Sequence, residues 1–143
     1  MTAPDIWTFF YGSYIHLDVL KELDYTPRKY EVARLSGFDI TIAPIANLVN
    51  SEQHTVYGIV ATGTHTELSR LYDHAEHILG GRYLPEAVLV QTMPGHWISA
   101  LCYIAPKLSG DSAAADYVDR ILKPAKVHGF PDWYIERSES FKP

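Results

Sequence analysis

Ile6-Trp7-Thr8-Phe9-Phe10-Tyr11-Gly12-Ser13-Tyr14 begins with five strongly β-forming residues and runs into a Tyr-Gly-Ser turn. Ile15-His16-Leu17-Asp18-Val19-Leu20 then reads as the start of a helix. A strand that stops at glycine and hands over to a helix leaves backbone N–H groups without partners, a corner suited to a carboxylate or an oxyanion. Glycine permits close approach, and the serine hydroxyl adds a donor or a cap. Alone, such a corner is also an ordinary connection, so the rest of the chain decides its meaning.

Outward from this corner, residues 15–23 are helical and Asp24-Tyr25-Thr26-Pro27 breaks the chain. Residues 29–35 read as a strand, Ser36-Gly37 as a tight turn and residues 38–42 as a second strand, forming a hairpin. Residues 43–54, punctuated by Pro44, Asn47, Asn50 and Ser51, read as a loop; residues 55–61 form a buried strand in which Gly58 allows close backbone approach. Thr64-His65-Thr66-Glu67 has capping-box spacing and starts a helix. On that helix Leu68, Leu71, Tyr72, Ala75 and Leu79 share an apolar face; Asp73, His74 and His77 point away, and Glu76 falls on the shoulder. Gly80-Gly81 ends it.

Residues 82–92 and 96–104 read as strands joined by a Met93-Pro94-Gly95 turn. Asp111 or Ser112 caps a helix that Pro124 bends or ends, and a last helix starts near Asp132. Six or seven strands, mainly in hairpins, and four helices give an α+β class with residues 1–143 as a single domain.

Composition narrows the function. The 143 residues are 47% hydrophobic and 20% charged, enough for a proper core. A net charge of -5 without a basic cluster argues against nucleic acid and anionic membrane surfaces as partners. One cysteine, Cys102, in an apolar run excludes a disulfide framework and a cysteine-rich metal site, and fits a reducing cytoplasm. Residues 1–5 do not read as a signal peptide, and no apolar run reaches the roughly 20 residues of a membrane span. Ten tyrosines are available for packing and for polar pocket walls.

Glu76 is the candidate general base. A carboxylate at the margin of an apolar face loses hydration, which raises its pKa toward the useful range; boundary positions of amphipathic helices also carry glutamate for packing alone. His74 and His77, with His65 upstream, lack the His-Glu-x-x-His spacing of a helical zinc site, so no metal is expected. Gly12-Ser13 lacks the second glycine of a nucleophile elbow, Cys102 reads as a small buried hydrophobe, and no glycine-rich phosphate loop is present.

Nearly the whole chain resembles the γ-glutamylcyclotransferase-like proteins, which include γ-glutamylamine cyclotransferases and plant AIG-type relatives. The resemblance is carried by Phe10-Tyr11-Gly12-Ser13, Val32-Ala33-Arg34-Leu35 with Phe38, and Val56-Tyr57-Gly58-Ile59-Val60. It continues through Asp73-x-x-Glu76 with Tyr83, and through Ala115-x-Tyr117 to His128-Gly129-Phe130-Pro131-x-x-Tyr134.

It implies a small mixed β-barrel with helices around it and a cofactor-independent reaction at the barrel mouth. The α-amine of a γ-glutamyl amine or amino acid attacks its own side-chain amide, giving 5-oxoproline and a free amine. The resemblance makes Glu76 the base and then the acid, places the substrate carboxylate or oxyanion on Tyr11, Gly12, Ser13 and Tyr14, and puts Tyr83 and Tyr117 in the pocket wall. Two departures stand out: Tyr14 replaces the asparagine usual after Tyr-Gly-Ser, and His77 the glycine usual after the glutamate. They favour a specialised amine or amide, with Trp7, Trp97 and Trp133 as candidates for setting the leaving group. A non-catalytic binding protein on the same fold and an amide hydrolase or lyase using Glu76 are the alternatives.

Overall fold

A computed structural model describes residues 5–143, apart from the Leu79 side chain; the expectations for residues 1–4 and for the packing of Leu79 lie outside the described residues. Five strands close into a barrel in the order β1-β3-β2-β4-β5: β1 Ile6–Phe10, β2 Tyr30–Ile42, β3 Ala46–Gly63, β4 Leu84–Thr92 and β5 Trp97–Ile104. Four α-helices accompany it: α1 Leu17–Glu22, α2 His65–His74, α3 Ala115–Val127 and α4 Asp132–Glu139. The expected mixed barrel with surrounding helices is the observed architecture.

The opening strand is the seam of the barrel. β1 runs antiparallel to β3, with Phe10 opposite Ile59, and parallel to β5, with Phe9 opposite Cys102. Its Phe9 and Phe10 rings are buried with Leu35, Ile40, Ile59, Val60 and Val90 in the barrel core. Gly58 is the point of closest approach. A Cβ there would lie 2.0 Å from the Phe10 carbonyl oxygen, so only glycine lets β3 and the end of β1 meet.

Two expectations are corrected in β2 and β3. Ser36-Gly37 is not a hairpin turn: both halves of β2 pair with β3, and the register shifts between Ser36 and Phe38. Gly37, at φ +92°, takes up the extra residue of a β-bulge without reversing the chain. The true reversal lies between Ile42 and Ala46, so residues 46–54, expected to be loop, form the first half of β3. Asn50, Glu52, Gln53 and His54 are exposed, whereas Asn47 is buried, its amide donating to the Ala105 carbonyl and accepting from the Ala105 N–H, both at 2.9 Å. Merging two expected strands reduces the count to five.

The capping box at Thr64 forms as expected: Thr64 Oγ1 accepts from the Glu67 N–H and the Glu67 carboxylate from the Thr64 N–H. After His74 the helix widens into a π-helical turn, Ala75–Leu79, which Gly80 terminates at φ +84°. α3 starts at Ala115 without a side-chain cap, contrary to the caps expected at Asp111 or Ser112. It also passes through Pro124 to Val127, with Tyr117, Val118, Ile121, Leu122 and Ala125 buried.

Candidate functional site

β1 delivers the chain to the barrel mouth, and the turn that follows it forms one wall of a cavity. Ser13–Ile15 make a 3-10 turn whose Ser13, Tyr14 and Ile15 are all buried. Because the chain has left β1 and not yet entered α1, the N–H groups of Gly12, Ser13 and Tyr14 meet no acceptor among the described residues. His128 Nε2 lies 2.8 Å from the Ile15 carbonyl and ties the end of α3 to this turn.

The cavity is lined by Phe10, Tyr11, Gly12, Ser13 and Tyr14 from the turn and by Tyr72 and Ala75 from α2 and the π turn. Ala46, Tyr83, Tyr103 and Tyr117 close the opposite side. Its open space is narrow, about 30 Å³, room for water-sized occupants only. All six substrate-binding residues expected from the sequence, Tyr11, Gly12, Ser13, Tyr14, Tyr83 and Tyr117, are in this wall.

The phenols are anchored by their hydroxyls. Tyr11 donates to the Tyr103 carbonyl at 2.6 Å, and Tyr83 donates to the Ala46 carbonyl. The Tyr117 oxygen accepts from the Ala46 N–H at 2.9 Å, so both backbone polar groups of Ala46 are held by pocket tyrosines. Tyr14 donates to the Leu71 carbonyl at 2.8 Å, and His74 Nδ1 lies 2.9 Å from the same phenol oxygen. With the phenol proton committed to Leu71, the imidazole is the donor in the second contact. Tyr14 therefore fastens the opening turn to the end of α2, and His74, expected to point away into solvent, is half-buried against it.

Burial raises the pKa of every one of these tyrosines: Tyr11, Tyr14, Tyr72, Tyr83 and Tyr103 lie above the ordinary phenol value. Tyr117 is pushed up to about 12 by burial, against the opposing pull of the Ala46 N–H and the Ser13 hydroxyl. The pocket phenols are thus neutral hydrogen-bonding groups near neutral pH. The same cause raises the buried Cys102 thiol to about 12, consistent with its reading as a small hydrophobe.

Glu76 stands apart from this group. It is solvent-exposed and absent from the cavity wall, while its neighbour Ala75 is buried and lines the cavity. Leu68, Leu71 and Ala75 follow one another at helical spacing on the buried face, and Glu76 falls one position beyond it. His77 is exposed too, with Nε2 3.3 Å from an Asp73 carboxylate oxygen. Trp97 and Trp133 are exposed, and neither they nor Trp7 lines the cavity. Tyr72, Tyr103, Ala46 and Ala75 were not among the site residues expected from the sequence. Tyr72 and Ala75 had a signal in the apolar face of the helical wheel. Tyr72 and Tyr103 stack face to face with ring centroids 3.6 Å apart. No group of three or more metal-ligating side chains occurs among the described residues.

A solved structure described as a γ-glutamyl cyclotransferase superimposes with a TM-score of 0.80 at 22% identity, over 98% of this chain and 89% of that one. The chain has the γ-glutamyl cyclotransferase fold. A human protein described as uncharacterised matches with a TM-score of 0.80 at 23% identity, over 97% of this chain and 89% of its own. A yeast γ-glutamyl cyclotransferase described as specific to glutathione gives a TM-score of 0.67 at 11% identity, over 96% and 95% of the two chains. No family model matches the sequence, and no curated protein does.

Proposed function

We propose that the tyrosine-lined cavity takes the glutamyl head of a small γ-glutamyl compound, an amine or an amino acid derivative, with its carboxylate on the Gly12–Tyr14 turn. The observation that carries this reading is the convergence of that turn with Tyr11, Tyr83 and Tyr117 on one cavity at the mouth of a barrel of this fold. Apolar walls with a few convergent polar groups are the usual character of small-molecule sites.

The fate of the bound compound turns on Glu76. In the cyclotransfer reading, supported by the neighbours described as cyclotransferases, Glu76 removes a proton from the substrate α-ammonium. The freed amine attacks the side-chain amide carbon, a C–N bond forms as the amide C–N bond breaks, and Glu76 passes its proton to the departing nitrogen and takes up the second proton that the attacking nitrogen loses on becoming the lactam N–H. The nucleophile belongs to the substrate, so orientation supplies much of the rate. This reading requires the Ala75–Leu79 turn to bring Glu76 inward. A second reading, binding without turnover, is favoured by the fact that Ala75 lines the cavity and Glu76 does not.

The deciding experiment is detection of 5-oxoproline by mass spectrometry after mixing the protein with a panel of γ-glutamyl amines, amino acids and peptides. Product that disappears in Glu76→Gln supports cyclotransfer and assigns the base. Product that persists in the variant removes Glu76 from the mechanism. Binding with no product selects the second reading.

A further inference from the structure

Six tyrosines line the cavity, and four of them are held through their hydroxyls. Tyr11, Tyr14 and Tyr83 donate to backbone carbonyls, and Tyr117 accepts from the Ala46 N–H. Tyr72 and Tyr103 are different. Their hydroxyls make no hydrogen bond among the described residues, and their rings stack with 13° between the planes and 3.6 Å between the centroids. Ring contact places them, so this side of the wall presents aromatic surface. Tyr72 is bordered by the Tyr14 and Tyr83 rings, each with its centroid 6.0 Å away, whereas Tyr103 is half-buried. Tyr72 covers one face of the Tyr103 ring; the other face and the edge remain for a further aromatic partner.

In the cyclotransfer reading, the glutamyl carboxylate rests on the Gly12–Tyr14 turn and the amide that breaks comes within reach of Glu76, which protonates the departing nitrogen. Glu76 follows Ala75 directly, and Ala75 with Tyr72 makes the α2 side of the cavity wall. The departing amine then lies against Tyr72 and, next to it, Tyr103. Neither ring nor Ala75 carries a positive charge, so a leaving group that ends in a carboxylate finds no counter-charge on this side.

We infer that Tyr72 and Tyr103 form the leaving-group subsite, and that it favours γ-glutamyl amides of uncharged aromatic amines over those of carboxylate-bearing peptides. The inference rests on the cyclotransfer reading of the cavity.

The test is the initial rate of 5-oxoproline formation by the full chain at neutral pH from three γ-glutamyl amides, those of benzylamine, cyclohexylmethylamine and cysteinylglycine. The first two leaving groups match closely in size and differ in aromaticity; the third carries a carboxylate. The expected kcat/KM for the benzylamide is at least about threefold above the cyclohexylmethylamide and at least about tenfold above the cysteinylglycine compound. Tyr103→Leu removes the ring but keeps the backbone carbonyl to which Tyr11 donates, and it should bring the benzyl-to-cyclohexylmethyl ratio close to one. The wild-type ranking decides the matter even if this variant does not fold. Equal rates for the two amines, or a higher rate for the cysteinylglycine compound, overturn the inference and leave cyclotransfer in place. An aromatic preference that survives in Tyr103→Leu overturns the assignment of the subsite. Failure of all three compounds to give 5-oxoproline overturns the inference together with the cyclotransfer reading.

Discussion

Ala46 has no side-chain chemistry, yet two pocket tyrosines meet on its backbone. Tyr117 takes its N–H at 2.9 Å and Tyr83 gives a proton to its carbonyl, so α3 and the segment before β4 are both pinned to the start of β3. Removing the Tyr117 hydroxyl leaves the Ala46 N–H buried without that partner, and an unsatisfied buried donor costs about 1–3 kcal/mol. Tyr117→Phe should therefore lower the unfolding free energy by that amount, read as a shift of the urea midpoint with unchanged slope; an unshifted midpoint would show that the bond contributes nothing. The sequence marks Tyr117 only through family resemblance, because no local pattern reveals that a phenol on one helix reaches a strand 71 residues away. Glu76 is the converse case. Its place on the shoulder of the helix was legible from spacing, but whether a shoulder residue faces cavity or solvent depends on the neighbouring elements, and here Ala75 takes the inward position.

At the level of elements, periodicity and punctuation located β1, β4, β5, α2 and α4 closely, since each is bounded by a cap, a turn or a glycine that acts locally. Residues 36–54 depart from the sequence pattern because the same signals have two outcomes. A glycine at positive φ makes either a turn or a bulge, and a polar run is either loop or exposed strand; only pairing with a partner chooses. Gly58, in contrast, was read correctly, and its role is purely steric. A Cβ at this position would meet the Phe10 carbonyl oxygen at 2.0 Å and the Phe9 ring at 2.9 Å. Both neighbours sit at the fully packed seam of the barrel, so they cannot yield cheaply. Gly58→Ala is expected to destabilise the protein by at least about 1–3 kcal/mol, the usual range for forcing added atoms into a packed core. Chemical denaturation measures this directly, and a variant as stable as the wild type would mean that β1 and β3 can part without loss.

The whole molecule brings its tyrosines to one place. Tyr11 and Tyr14 arrive with the opening turn, Tyr72 with α2, Tyr103 with β5 and Tyr117 with α3, so the pocket exists only when these elements are assembled. Their raised pKa values are consequently a property of the complete fold, and they couple its stability to alkaline pH. An unfolded tyrosine ionises near 10, whereas burial holds the folded Tyr117 at about 12 and the other pocket phenols above the ordinary value. The folded state therefore binds these protons more tightly than the unfolded chain does. Each group's contribution is fully present below pH 10 and is lost as pH rises through its folded value. The unfolding free energy should be insensitive to these phenols at about pH 9 and fall steadily above about pH 10, which urea titrations at several pH values would reveal. Phenolate absorbance of the native protein should lag behind that of the urea-unfolded chain over the same interval. Coincident native and unfolded titration curves would mean that the pocket opens to water without unfolding.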